Sequence, residues 1–124
     1  MAQSGRFGLS VRVLGVLAAE PDAMHTSAAI AEAIGSSPVM VRRIFSALHK
    51  AGFIEQKKGP AGGARLKHSA KSIGLGDLFV AIEPDWLMSG EKALDAAMKK
   101  VRTAAVEAMN ETSIAAVGKK LKKG

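Results

Sequence analysis

The 124-residue sequence contains no cysteine. That single absence removes disulfides, thiol catalysis, Cys-ligated zinc and Cys-ligated iron–sulfur clusters. It also fits a reducing compartment, so the expected location is the cytoplasm. Aromatic residues make up only 4% of the chain, which leaves Leu, Ile, Val, Ala and Met to build a core from a hydrophobic content of 48%. No apolar run is long enough to cross a bilayer. The stretch MAQSGRFGLSVRVLGVLAAE has the outline of a secretory signal, but Arg12 interrupts its apolar part and the same residues make an amphipathic helix. Acids are few as well: 11 Asp+Glu stand against 18 Lys+Arg, for a formal net charge of +7. Such a balance favours a polyanion, either nucleic acid or an acidic membrane surface. No Ser/His/Asp or paired-carboxylate arrangement stands out, so no catalytic residues are expected and the chain is not read as an enzyme. His25, His49 and His68 lie far apart, and no metal or other cofactor is expected from them.

What is present is a series of helical patterns around one short ribbon. Residues 6–19 predict a first helix with Phe7, Val11, Leu14 and Ala18 on one face and Leu9, Val13 and Val16 on another. A helix apolar on two faces needs covering on both, by its own domain and by a partner subunit. Pro21 disfavours helix at Glu20 and ends it. Thr26 or Ser27 can cap a second helix over 27–34, closed by Gly35 in a left-handed cap. Ser36 or Ser37 caps a third, with Pro38 in its first position, where a missing N–H costs nothing. Val41, Ile44, Phe45 and Leu48 form its apolar stripe, with Arg42, Arg43, Ser46 and Lys50 off it. Phe53–Lys57 and Ala64–Lys67 flank the turn Gly59-Pro60-Ala61-Gly62-Gly63 and predict a hairpin. Residues 68–74 cross back to a short fourth helix carrying Leu75, Leu78, Phe79 and Ile82. Trp86 and Met88 either staple the following linker to the core or wall a small pocket. Residues 91–117 predict one long Ala-rich helix. Leu94, Met98, Val101, Ala105 and Ala108 recur on it at alternating spacings of four and three, a heptad seam suited to dimerisation. Lys119 to Lys123 read as a frayed basic tail.

The order of these elements is that of a winged helix-turn-helix. The expected fold is therefore mainly α with a small β-hairpin: a winged helix-turn-helix domain over 1–83, then a linker, dimerisation helix and basic tail over 84–124. A major groove admits one helix, whose N-terminal residues reach base edges. Here these are Val39, Arg42, Arg43 and Ser46, with Ser37 placed to reach a phosphate. A merely solvated face would mix signs, yet between Ser37 and Lys71 the acid Glu55 faces Arg42, Arg43, Lys50, Lys57, Lys58, Arg65, Lys67 and Lys71. The Gly-rich turn lacks the Gly-Lys-Ser/Thr ending of a Walker loop and sits between strands. Gly59, Gly62 and Gly63 instead suit close approach of backbone to a duplex, with Lys58 or Arg65 entering the minor groove.

The same residues carry a resemblance. Ala28-Ala29-Ile30-Ala31 with Gly35 to Val41, Leu48-His49-Lys50-Ala51-Gly52-Phe53-Ile54, the wing Lys58 to Leu66, and Ile73-Gly74-Leu75-Gly76-Asp77-Leu78 with Ala81-Ile82-Glu83 resemble the Rrf-two (Rrf2) family of bacterial transcription regulators, which includes relatives of the iron–sulfur cluster regulator. The match runs from about residue 7 to 83, and more weakly through Thr112 to Ala115. The resemblance implies a homodimer with long helices crossing between subunits and one wing each. Three departures stand out. Cluster-binding members carry three cysteines after the segment that Ala81-Ile82-Glu83 resembles, where this chain reads Pro84 to Glu91 without one. The family's wing tyrosine is Ala64, implying a lost contact, and Arg42 takes a position often acidic, implying altered base preference. The expected partners are double-stranded DNA and a second copy of the chain, not a membrane, and the expected role is that of a repressor on a palindromic operator. Regulation through a protein partner or a small-molecule effector, and charge-only binding of nucleic acid or membrane, stay open beside it.

Overall fold

The structure, a computed structural model, describes residues 5–59 and 62–123, the side chains of 121–123 excepted. Its elements are α1 (Arg6–Ala19), α2 (Ser27–Ile34), α3 (Pro38–Lys50), β1 (Ile54–Lys57), β2 (Gly63–Leu66), a 3-10 turn (Ala70–Ser72), α4 (Leu75–Ile82), α5 (Lys92–Met109) and α6 (Ile114–Lys123). The two strands pair antiparallel, with Ile54 opposite Leu66 and Lys57 opposite Gly63. The fold is thus mainly α with one hairpin, and α1 to α4 keep the boundaries that caps and periodicity imply.

One core joins these elements. Val13, Leu14 and Leu17 of α1 are fully buried with Ile30 of α2, Val41 and Leu48 of α3, Ile54 of β1 and Leu78 of α4. Each such side chain contributes about 1.5–3 kcal/mol through its removal from water. Phe7, Leu9, Val16 and Ala18 are half-buried against the same core. Both apolar faces of α1 are used inside the chain, because α6 packs along it and contributes fully buried Ile114. On the second face Val13 is fully buried, while Leu9 and Val16 stay half-buried.

The segment 91–117 is two helices, not one. α5 stops at Asn110, and Ser113 starts α6 by accepting the Ala116 N–H at 3.2 Å. The cause is tertiary. The Leu75 N–H donates to the Thr112 carbonyl at 2.9 Å, and the Ile114 N–H donates to the Ile73 carbonyl at 2.8 Å. These bonds divert the chain toward the start of α4. Residues 119–123, expected as a frayed tail, continue α6.

The Leu-Gly-Asp-Leu stretch explains itself at this junction. Asn110 Oδ1 accepts the Asp77 N–H at 2.9 Å, capping α4 from a different helix, and Asn110 Nδ2 returns a bond to Asp77 Oδ1 at 3.1 Å. A Cβ on Gly76 would fall on the Val106 carbonyl, and one on Gly74 would fall on Asn110 Oδ1. Both glycines exist so that α4 can meet the end of α5 at this range.

Candidate nucleic-acid interface

The reading unit is set by its caps. Thr26 accepts the Ala29 N–H at 3.0 Å and starts α2. Gly35 closes α2 with φ of 70°, a left-handed conformation that glycine adopts at little cost. Ser37 then accepts the Met40 N–H at 3.1 Å and starts α3, with Pro38 in the first turn. Ser37 is therefore the cap; its hydroxyl proton remains available to a phosphate oxygen. The inner face of α3 buries Val41, Ile44, Phe45 and Leu48. Its outer face exposes Val39, Arg42, Arg43, Ser46, His49 and Lys50. Val39 is 51% exposed despite being apolar. Neither arginine has an ion-pair partner among the described residues. His49 was not among the expected contacts, although its spacing of three from Ser46 and seven from Arg42 puts it on their face.

The wing is built differently from the expectation in three places. First, Gly62 is buried and Gly63 half-buried, and both shape the turn. A Cβ on Gly62 would fall on the Lys57 carbonyl, and one on Gly63, whose φ is 138°, on the His25 carbonyl. His25 exchanges both backbone bonds with Ala64, at 2.9 and 2.8 Å, and so acts as a one-residue third strand. Secondly, Arg65 faces Glu55 across the ribbon, with Nε 3.5 Å from its carboxylate. Thirdly, Ala64 is fully buried, so the position linked to a lost contact lies on the inner face of the ribbon. Lys58 is exposed, followed by Gly59 with φ of 102°. Pro60 and Ala61 of the turn lie outside the described residues.

Beyond α4, Trp86 packs edge-on to Phe79 with ring centroids 4.8 Å apart, and Phe79 packs edge-on to Phe7 at 5.0 Å. Trp86 is a staple between linker and core. The loop into α5 is held by Asp95, whose carboxylate accepts the Ser89 N–H at 2.7 Å, the Ser89 hydroxyl at 2.8 Å and the Gly90 N–H at 3.2 Å. The Ser89 backbone bond, above all, keeps the Asp95 carboxyl below the ordinary aspartate range. α5 itself contains no fully buried residue. Leu94 and Val101 are 51% and 49% exposed, Ala108 is exposed, and Met98 and Ala105 are half-buried.

A capped helix-turn-helix, a two-stranded wing and a long helix with an uncovered apolar face form one recognisable architecture. The family model described as "Rrf2: Iron-dependent Transcriptional regulator" matches residues 3–120. The chain belongs to the Rrf2 family. Among Rrf2 relatives, it is 31% identical over 83 residues to the HTH-type transcriptional regulator IscR of Photobacterium profundum, a match covering 67% of this chain and 48% of that protein. The chain thus matches about half the length of that relative. Solved structures share the fold, and two of them illustrate it. CymR (YrzC), the global cysteine regulator of B. subtilis, superposes with a TM-score of 0.74 at 20% identity, covering 97% of this chain and 98% of that one. IscR of T. potens also gives 0.74, at 21% identity, covering 98% of this chain and 88% of that one.

The iron in the family description finds no fitting donors here. The sequence has no cysteine, and among the described residues no three His, Asp or Glu side chains group as metal ligands. No helix among the described residues is long and apolar enough to cross a membrane.

Proposed function

We propose that this Rrf2 protein is a sequence-specific DNA-binding regulator, acting as a homodimeric repressor on a palindromic operator. The observation that carries the reading is the outer face of α3, where Arg42 and Arg43 are exposed next to Val39 and Ser46, with no acidic partner among the described residues. Guanidinium groups in that position suit bidentate pairing with guanine, and an apolar residue beside them suits a thymine methyl. Ser37, Gly59 and the Lys58 ammonium would meet the sugar–phosphate backbone, which orients the helix without reading sequence. In this reading residues 1–83 carry the DNA-reading head and 84–124 the assembly arm, with Leu94, Met98, Val101, Ala105 and Ala108 meeting their copies. A dimer doubles the contacts and matches its two-fold axis to that of the site. Repression follows where the operator overlaps a promoter, since the bound dimer excludes other proteins from that DNA.

Selection of bound fragments from random DNA, followed by sequencing, tests the reading. An inverted repeat with half-sites about 10–10.5 base pairs apart, or a multiple, is the expected product. Equal affinity for operator and scrambled DNA would sink sequence-specific reading. Lys58→Ala should lower the salt slope of binding by about one to two units, most clearly on operators with A·T-rich flanks, whose narrow minor groove attracts a long cation.

A further inference from the structure

A cavity of about 620 Å³ opens where the last turns of α1, the segment after β2 and the first turns of α6 meet. Its volume lies within the range of small-molecule sites. The helix walls are lined by Gly15 and Ala18 of α1 and by Ala115 and Gly118 of α6. The two helices cross with so little side chain that a Cβ on Gly118 would lie 4.0 Å from the Gly15 Cα. Among the described residues, the helix positions facing the cavity are small apart from Lys119 at its rim. The rim has the opposite character. Lys67, Lys71 and Lys119 line it, all exposed, together with His68, and Asp22 is the acid among the lining residues. Neither Lys71 nor Lys119 has an ion-pair partner among the described residues.

A duplex does not fit this shape. The cavity is a concave recess with an apolar floor, and phosphate backbone gains nothing from such a floor. It also lies at the base of the hairpin, by Leu66 and Lys67, whereas the turn after Lys58 is at the other end of the ribbon. An apolar floor beneath a cationic rim suits a small molecule with both characters.

We propose that this cavity binds a small amphipathic anion, a carboxylate on an aliphatic body. The carboxylate pairs with Lys71 and Lys119, and the aliphatic part covers Gly15, Ala18 and Ala115. The inference goes beyond the DNA reading and does not depend on it, so its test contains no DNA.

The test uses the full chain, uniformly labelled with ¹⁵N, titrated with octanoate and followed by heteronuclear NMR and calorimetry. Octanol serves as the uncharged counterpart and acetate as the headgroup alone. Saturable binding of octanoate is expected, with the shifts concentrated at Gly15, Ala18, Ala115 and Gly118. Octanol and acetate should each bind at least about tenfold more weakly, a difference of roughly 1.4 kcal/mol. The double variant Lys71→Glu/Lys119→Glu changes only exposed side chains, so its spectrum should stay folded while octanoate binding falls by at least about tenfold. Octanol or acetate binding as tightly as octanoate would overturn the proposal. So would octanoate shifts confined to α5, a double variant that binds octanoate unchanged, or no saturation by roughly 10 mM octanoate.

Discussion

α3 and α5 are both amphipathic helices with one uncovered face, yet the two faces have opposite chemistry. α3 anchors itself through four buried side chains, Val41, Ile44, Phe45 and Leu48, and holds cations in water on its far side. α5 is longer, buries no residue fully, and leaves Leu94 and Val101 about half exposed. A helix fixed by a core can present charges at defined positions, because its backbone does not depend on what they bind. A helix without buried residues depends on another surface to cover its apolar side. The first arrangement suits reading, the second suits assembly.

The comparison breaks most severely at Val101. Val101→Asp puts an uncompensated charge into the proposed interface between copies, at a cost on the order of 3–5 kcal/mol. Sedimentation should show wild-type dimers and variant monomers. If both are monomeric at the same concentration, α5 is not the assembly surface. On α3, replacing Arg42 or Arg43 by Ala should leave the folded chain intact. For at least one of them, operator binding should weaken by about 1–3 kcal/mol with relaxed preference at one position per half-site. Competition binding against base-substituted operators measures this, and equal weakening on scrambled DNA would reduce both arginines to phosphate contacts.

The joint between the two regions sharpens the comparison. Asn110→Ala removes the acceptor that caps α4 and should cost about 0.5–2 kcal/mol in denaturant unfolding. Gly76→Ala should cost about 1–3 kcal/mol, because its methyl meets the Val106 carbonyl, a backbone atom that cannot rotate away. An unchanged midpoint for both variants would show that α4 and α5 are not coupled there.

The smallest effect is one of pH at the start of α5. The Asp95 carboxyl titrates below its ordinary value, so its contribution is present above about pH 4 and fades as pH falls through the lowered value. Wild type should melt above Asp95→Asn at neutral pH, and the gap should close in acid. A gap that is constant down to about pH 2 would assign the effect to something other than the charged carboxylate.

The parts legible in the sequence were those decided locally. Thr26, Gly35, Ser37 and Pro38 are cap and turn residues whose roles depend on their neighbours, and the periodic stripe of α3 locates both its faces. The heptad seam does not mark the end of α5, because Asn110-Glu111-Thr112-Ser113 contains no Gly or Pro and alanines resume at Ala115. What stops it is α4, a partner across the fold. Asn110 and Ser113, both common caps, were the local signal for that break. The wing glycines mark a turn from their own sequence. Their cause, the His25 and Lys57 carbonyls behind them, became visible only when residues far apart in sequence were placed side by side. Arg65 looked free for the same reason, since its partner Glu55 is ten residues earlier and directly opposite.

The contact of Asn110 with Asp77, close beside Gly74 and Gly76, also has a mechanical side. An α-helix of 18 residues is about 27 Å long, so a tilt of about ten degrees at one end moves the other by roughly 5 Å. In a dimer held by α5, that displacement is comparable with more than one base-pair step of B-DNA. The fit between two reading heads and two half-sites would then depend on the stiffness of the α4–α5 joint, where Asn110 meets Asp77 and Gly76 meets the Val106 carbonyl. Loosening it should broaden the range of operator spacings that are tolerated before it weakens any single contact with a base.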